Sequence, residues 1–254
     1  MSNWTADDGT TIHYEVYGSD LQKDVLLLLP GLMGSINRQW VNFVPALTDN
    51  FRLVLMDLRG HGRSSNNAPL LETGRMVQDI VGLLDELQAT AVHVAGYNLG
   101  GYLGLQMLLT APRRVHTLLM HASKFYWTAD AAAKLRAQLD PDDLAAKVPT
   151  YADQLVQDHG GRQWRILVRQ AADLISSLVD NGLKESMIKR IQTPVLVSVG
   201  DRDELIPLNE AQRLSRMLPN GRLLVLPGVR HPYQTIPAVP LIPMMQEFHR
   251  TGRR

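Results

Sequence analysis

The sequence predicts an α/β fold in which a mostly parallel sheet is flanked by helices and interrupted by a helical insertion. Three observations predict it. Short apolar runs bounded by turn residues, such as Val25–Leu29 before Pro30-Gly31 and residues 53–57 before Leu58-Arg59-Gly60, have the pattern of strands covered on both faces. Segments of helical spacing separate these runs with short connections, the alternation that right-handed crossovers impose on a parallel sheet. One apolar strand, residues 91–97, runs into the glycine-flanked turn Gly96-Tyr97-Asn98-Leu99-Gly100 and then into a helix-forming segment.

In chain order, residues 10–17 alternate polar and apolar, as a half-exposed strand does. Val25–Leu29 is continuously apolar and leads into the loop Gly31-Leu32-Met33-Gly34-Ser35. Helical spacing returns over residues 40–47. Residues 53–57 form the next buried strand, which opens into Arg59-Gly60-His61-Gly62-Arg63-Ser64. Between residues 73 and 87, Met76, Ile80, Leu83 and Leu87 share one helical face. The strand at 91–97 comes next, followed by a helix to residue 110 and a strand at 115–120.

From residue 123 to residue 190 the strand signals vanish, and helical segments are broken at Asp140-Pro141, Val148-Pro149, Gly160-Gly161 and Asn181-Gly182. Strands resume at residues 194–199 and 223–226, separated by a helix over 209–218, and a helix over 241–250 closes the fold. The expected organisation is one domain: a core of residues 1–122 and 191–254 with a helical cap at 123–190. The chain has no internal repeat and no low-complexity segment.

Composition bounds the function. A chain of 254 residues with 45% apolar content can bury a substantial core. Lys and Arg number 26 against 25 Asp and Glu, leaving a net charge of +1, so no electrostatic footprint for nucleic acid or an anionic membrane is expected. The expected partner is a small-molecule substrate or ligand, and the chain is expected to be a monomer or homodimer. No apolar stretch approaches membrane-spanning length and no leader pattern is visible, so a cytoplasmic protein is expected. The sequon Asn3-Trp4-Thr5 is then accidental. Cysteine is absent, which removes disulfides, thiol nucleophiles and zinc-thiolate sites.

The strand, turn and helix around Asn98 have the form of a nucleophile elbow, whose central residue projects above the carboxyl end of the sheet. Gly96 and Gly100 suit it because larger side chains there would obstruct the turn. The usual pattern is G-x-S-x-G, but position 98 is asparagine. Pro30-Gly31-Leu32-Met33-Gly34, the Arg59–Ser64 loop, this elbow, and two late strands followed by Asp203 and His231 occur in the order of α/β-hydrolase-fold proteins. The chain resembles that family's serine esterases and lactonases over essentially its whole length.

The resemblance implies an eight-stranded, mostly parallel sheet and a nucleophile–acid–histidine order. Gly200-Asp201-Arg202-Asp203-Glu204-Leu205-Ile206-Pro207 is similar to the family's G-x-x-D-x-x-x-P and assigns the acid to Asp203, with Asp201 as its rival. Pro227-Gly228-Val229-Arg230-His231-Pro232 is similar to the loop that delivers the histidine. Oxyanion donors are expected from the N–H groups of Leu99 and of Leu32 or Met33. Tyr97, Ser35, Tyr126, Trp127 and Trp164 are candidates to bind substrate; a capping or turn role accounts better for Ser35, and core packing accounts equally well for Trp164, Tyr126 and Trp127. His61, His93 and His116 are read as non-catalytic, and no metal or cofactor is expected.

The chemistry explains both the residue types and the difficulty. A serine hydroxyl becomes nucleophilic when histidine accepts its proton and the acid fixes the histidine tautomer. The lone pair of the Asn98 amide nitrogen is delocalised into its carbonyl and cannot take that part. An aspartate nucleophile, as in haloalkane dehalogenases and epoxide hydrolases of this fold, would need Asp at 98. No G-x-x-x-x-G-K-[ST], H-E-x-x-H or dinucleotide fingerprint appears. Three readings follow: a carboxylic ester or lactone hydrolase of weak turnover; a cofactor-free general-base enzyme of the lyase or oxygenase type using His231 and Asp203; and a non-catalytic ligand-binding protein.

Overall fold

The computed structural model describes residues 2–252; residues 1, 253 and 254, at the ends of the expected core, lie outside the described residues. The eight strands are β1 (Ser2–Thr5), β2 (Thr11–Tyr17), β3 (Val25–Leu29), β4 (Arg52–Met56), β5 (Val92–Tyr97), β6 (Val115–His121), β7 (Val195–Gly200) and β8 (Gly221–Leu226). They form one sheet in the order β1-β2-β4-β3-β5-β6-β7-β8. β2 pairs antiparallel with β1 and β4, and every other pairing is parallel. The expected eight-stranded α/β architecture is present. β1 is the one strand that no sequence pattern indicated, because its four residues lie at the sheet edge and are largely exposed.

Strand alternation divides the core. Leu27, Leu29, Val54, Met56, Val92 and Val94 face one side, where α2 (Thr73–Glu86) and α3 (Leu99–Thr110) pack. Leu26, Leu28, Leu53, Leu55 and Ala95 face the other, covered by α1 (Val44–Leu47) and the closing helix at Ala238–Thr251. All four β3 leucines are fully buried, each contributing about 1.5–3 kcal/mol by transfer from water. The segment at 40–47 is not one helix: Trp40 takes φ 69°, a 3₁₀ turn spans Val41–Phe43, and only Val44–Leu47 is α-helical.

Between β6 and β7 lie α4 (Ala129–Arg136), α5 (Pro141–Lys147), α6 (Pro149–His159), α7 (Gln163–Asn181) and α8 (Glu185–Ile188). The breaks read from the sequence become caps and joints: Asp140 accepts from the N–H groups of Asp142 and Asp143, and Pro149 opens α6. Leu144, Ala152, Leu155, Trp164 and Val168 form a small cluster within these helices. Leu167, Leu174 and Leu178 of α7 belong instead to the main core, so the helical excursion is continuous with the sheet's own packing. After β7, α9 (Leu208–Met217) leads to β8, and α10 (Ala238–Thr251) follows.

Buried polar ties hold the loops at the carboxyl end of the sheet. Asp57 accepts the N–H groups of Ile36 (2.7 Å) and Arg63 (3.0 Å), joining the loops that follow β3 and β4. Burial pushes its carboxyl above the usual carboxylate range. Arg59 is fully buried and donates twice to Asp79 of α2, at 2.8 Å each, and to Asp8 at 2.6 Å.

Candidate active site

β5 passes into α3 through Asn98, whose φ of 50° and ψ of −112° lie where a residue with a Cβ is strained. The strain is held by packing. A Cβ on Gly96 would collide with the Gly100-Gly101 backbone, and one on Gly100 with the carbonyl of Leu29. The Asn98 N–H donates to the His121 carbonyl at 2.9 Å, and the side chain is lifted above the sheet.

The Asn98 amide is bonded at both ends. Its Oδ1 accepts the N–H of Leu99 at 2.8 Å and the N–H of Leu32 at 3.2 Å. Its Nδ2 lies 3.1 Å from Nε2 of His231. An amide nitrogen only donates, so Nε2 is the acceptor and the imidazole proton sits on Nδ1. Nδ1 donates to Asp203, 3.0 Å from Oδ1 and 2.9 Å from Oδ2. The Asp203 side chain is fully buried, and its Oδ1 also accepts the N–H groups of Leu205 and Ile206. Asp201 points elsewhere and accepts the Gly228 N–H at 2.6 Å.

A second group of residues, not singled out in the sequence, holds these in place. Gln39 Oε1 accepts the Gly31 N–H at 2.8 Å and shapes the turn that presents Leu32. Tyr233 accepts the Trp40 N–H at 2.7 Å, and Trp40 Nε1 donates to the Leu29 carbonyl at 2.9 Å. His159 Nδ1 accepts the Gly62 N–H at 2.7 Å while its Nε2 donates to the Met33 carbonyl at 3.1 Å. Its ring meets that of His61 edge to face, centroids 6.1 Å apart. Burial lowers both imidazoles, His61 down to about 3. Beneath the elbow, burial likewise lowers His121 to about 4.

Above Asn98 is a cavity of about 790 Å³. Leu32, Met33, Leu99 and His231 line its floor, and Trp127, Leu135, Leu144, Leu155 and Leu174 line it from the excursion. Its charged side chains are paired: Arg38 with Asp158 at 3.1 Å, Lys124 with Glu210 at 2.9 Å, Lys147 with Asp143 at 2.8 Å. Among the described residues no group of His, Cys, Asp or Glu is arranged to hold a metal ion, and no helix is long and apolar enough to cross a membrane.

The structure therefore brings Asn98, Asp203, His231, Leu32 and Leu99 together. Leu32 supplies the second N–H, while Met33, at φ 59°, turns its carbonyl to His159 and also lines the cavity. Tyr97 and Trp127 line the cavity, but the Tyr97 hydroxyl donates to the His231 carbonyl at 2.7 Å. Ser35, Tyr126 and Trp164 are not brought to the cavity. Ser35 is buried in a turn, its carbonyl accepting the Arg38 and Gln39 N–H groups. Tyr126 packs on Phe125 and beneath the Arg213 guanidinium, and Trp164 packs inside the helical cluster.

The comparisons with known proteins agree with this architecture. A sequence profile described as alpha/beta hydrolase fold matches residues 24–163. A protein of Caulobacter sp. (strain K31) with the provisional name carbamate hydrolase RutD is 30% identical over 252 residues, 91% of this chain and 91% of its own length. Among solved structures, a thermophilic esterase from Thermogutta terrifontis superposes with a TM-score of 0.81 at 19% identity over 100% of both chains. The enol-lactonase from Burkholderia xenovorans LB400 superposes with a TM-score of 0.74 at 20% identity, covering 97% of each.

Proposed function

Because the chain belongs to the α/β-hydrolase-fold family, we propose that it is a hydrolase-type protein for a small carboxylic ester or lactone, with Asn98 standing where the nucleophilic serine would be. Asp203 holds His231 in the tautomer whose Nε2 faces the reacting centre, and the N–H groups of Leu32 and Leu99 form the oxyanion hole. The single observation that carries the reading is the Asn98 amide itself. Its carbonyl rests on the two N–H groups expected to hold an oxyanion, and its nitrogen rests on the base.

The cavity supports the substrate class. Its walls are largely apolar and its charges are mutually neutralised, which favours a neutral acyl compound over an ionic one. The helices at 123–190 act as the cap over it. The relatives' names point to the same bond type, since esterase, enol-lactonase and carbamate hydrolase substrates share an acyl carbon bearing a heteroatom leaving group. Turnover is weak because the hydroxyl is missing and the Asn98 carbonyl itself occupies the two N–H groups; loss of an essential triad member alone costs about 10⁶.

A second reading is favoured by one observation. The His231–Asp203 pair is complete without any contribution from position 98, so it can remove a proton from a bound substrate in a lyase or oxygenase type of reaction. The substitution Asn98→Ser separates the two. Under the first reading ester hydrolysis rises and is lost again when His231→Ala is added; under the second it does not rise.

A further inference from the structure

The contacts made by the Asn98 side chain are those of an amide positioned to be hydrolysed. Its carbonyl oxygen accepts two converging backbone N–H groups, from Leu99 at 2.8 Å and Leu32 at 3.2 Å. Its leaving nitrogen lies 3.1 Å from Nε2 of His231, and the buried Asp203 holds that ring from the other side. Asn98 is half-buried, and both it and His231 line the cavity of about 790 Å³, which has room for water beside the amide. Most buried asparagines have an amide satisfied by groups that do no chemistry. Here every partner is a group suited to acyl transfer.

We infer that the Asn98 amide is itself a substrate of this site, and that the protein converts residue 98 to aspartate with release of ammonia. The inference rests on the assignment of His231, Asp203 and the two N–H groups made above. A water molecule from the cavity replaces the Asn98 N–H on the lone pair of His231 Nε2, and adds its oxygen to Cγ while that nitrogen takes its proton. The C=O electron pair moves onto Oδ1, where the Leu32 and Leu99 N–H groups hold the charge. As the double bond re-forms, the Cγ–Nδ2 bond breaks, and the nitrogen takes the proton from His231 and leaves as ammonia. One water is consumed and one amide becomes one carboxylic acid, which passes its proton to the ammonia. No oxidant or reductant is required.

This path differs from spontaneous deamidation, in which the next residue's backbone nitrogen attacks Cγ and a cyclic imide opens to aspartate and isoaspartate. At Asn98 that nitrogen belongs to Leu99, the first residue of α3, and its N–H is directed at Oδ1. The helix holds it as a hydrogen-bond donor and away from the role of nucleophile. Asn181 and Asn220 each precede a glycine; in the folded chain those glycine N–H groups are also held as donors, so the two sites report the spontaneous route once the chain is unfolded.

The test incubates the full-length protein at neutral pH in water enriched in oxygen-18, and follows the tryptic peptide carrying residue 98 by mass spectrometry. The expected product has one labelled oxygen, is aspartate without isoaspartate, and forms more slowly by about 10² or more in His231→Ala and Asp203→Asn, while Asn181 and Asn220 are unaffected. Because those variants can lose their fold, the unmodified chain is also followed in denaturant, where conversion at 98 should stop while Asn181 converts. The inference is overturned if residue 98 stays an amide throughout prolonged incubation of the folded chain, if isoaspartate appears at 98, or if conversion continues undiminished in denaturant. Should Asn98→Ser hydrolyse esters while the original amide persists, this inference fails and the proposed function stands.

Discussion

The hydroxyl of Tyr97 donates to the backbone carbonyl of His231 at 2.7 Å, a bond between residues 134 positions apart. The residue beside the elbow's central position thus anchors the loop that carries the histidine. Burial pushes the phenol well above its usual range, so it remains a neutral donor. Tyr97→Phe keeps the ring against Tyr233, 5.1 Å away between centroids, and removes that bond together with the contact its hydroxyl makes with the Tyr233 backbone. In an Asn98→Ser background the turnover number is expected to fall by about 10-fold, the equivalent of ~1.4 kcal/mol, with KM nearly unchanged. A loss confined to thermal stability would show that the bond does not position the histidine.

Asn98→Ser should raise hydrolysis of a short activated ester by about 10² or more, roughly 3 kcal/mol of barrier. Serine is smaller than asparagine, so nothing must move to admit it, and the Leu32 and Leu99 N–H groups are released to the substrate. Stopped-flow mixing should reveal a burst of product as the acyl intermediate accumulates. A folded variant with no gain would mean that His231 and the hole do not act on a bound acyl group.

Ile175 and Leu178 project from α7 into the cavity wall. Replacing Ile175 with Trp should fill part of the cavity above Asn98. In the Asn98→Ser background, esters with long acyl chains are expected to lose about 10-fold or more in kcat/KM, while acetyl esters change little. Equal effects on both chain lengths would argue against this cavity as the acyl site.

Acid should loosen the loop that presents Leu32. His159 accepts the Gly62 N–H through Nδ1, and a protonated ring has no acceptor. Its folded pKa and that of His61 are held below the ordinary 6.5 by burial, His61 at about 3. The unfolded chain therefore binds these protons first, so the stability carried by the neutral rings is complete above 6.5 and is lost as pH falls below it. Tm should drop on acidification, and His159→Gln, whose amide keeps a donor and an acceptor without titrating, should drop less steeply. Parallel curves would exclude His159 from the effect.

The layer structure and the place of the elbow were legible in the residues, because each depends on local chemistry. Five successive apolar residues at Val25–Leu29, closed by Pro30-Gly31, suit a short strand covered on both faces, and the glycines at 96 and 100 mark a turn where the structure leaves no space for a Cβ. The order of Asn98, Asp203 and His231 was expected from the resemblance to α/β-hydrolase-fold proteins, whose motifs these residues match. How side chains from distant loops meet depends on packing that no single segment encodes. His159 contacts Gly62 and Met33 across 97 and 126 positions, and Trp40 meets Tyr233 across 193; no periodicity relates such residues. The edge strand Ser2–Thr5 has too little burial to impose an alternation. Ser35 and Trp164 turned to bury themselves in a turn and a helical cluster, because packing sets the orientation of side chains whose spacing suits several faces. The seating of the Asn98 amide on Leu32, Leu99 and His231 is of the same kind: it exists only because three loops converge above one strand end.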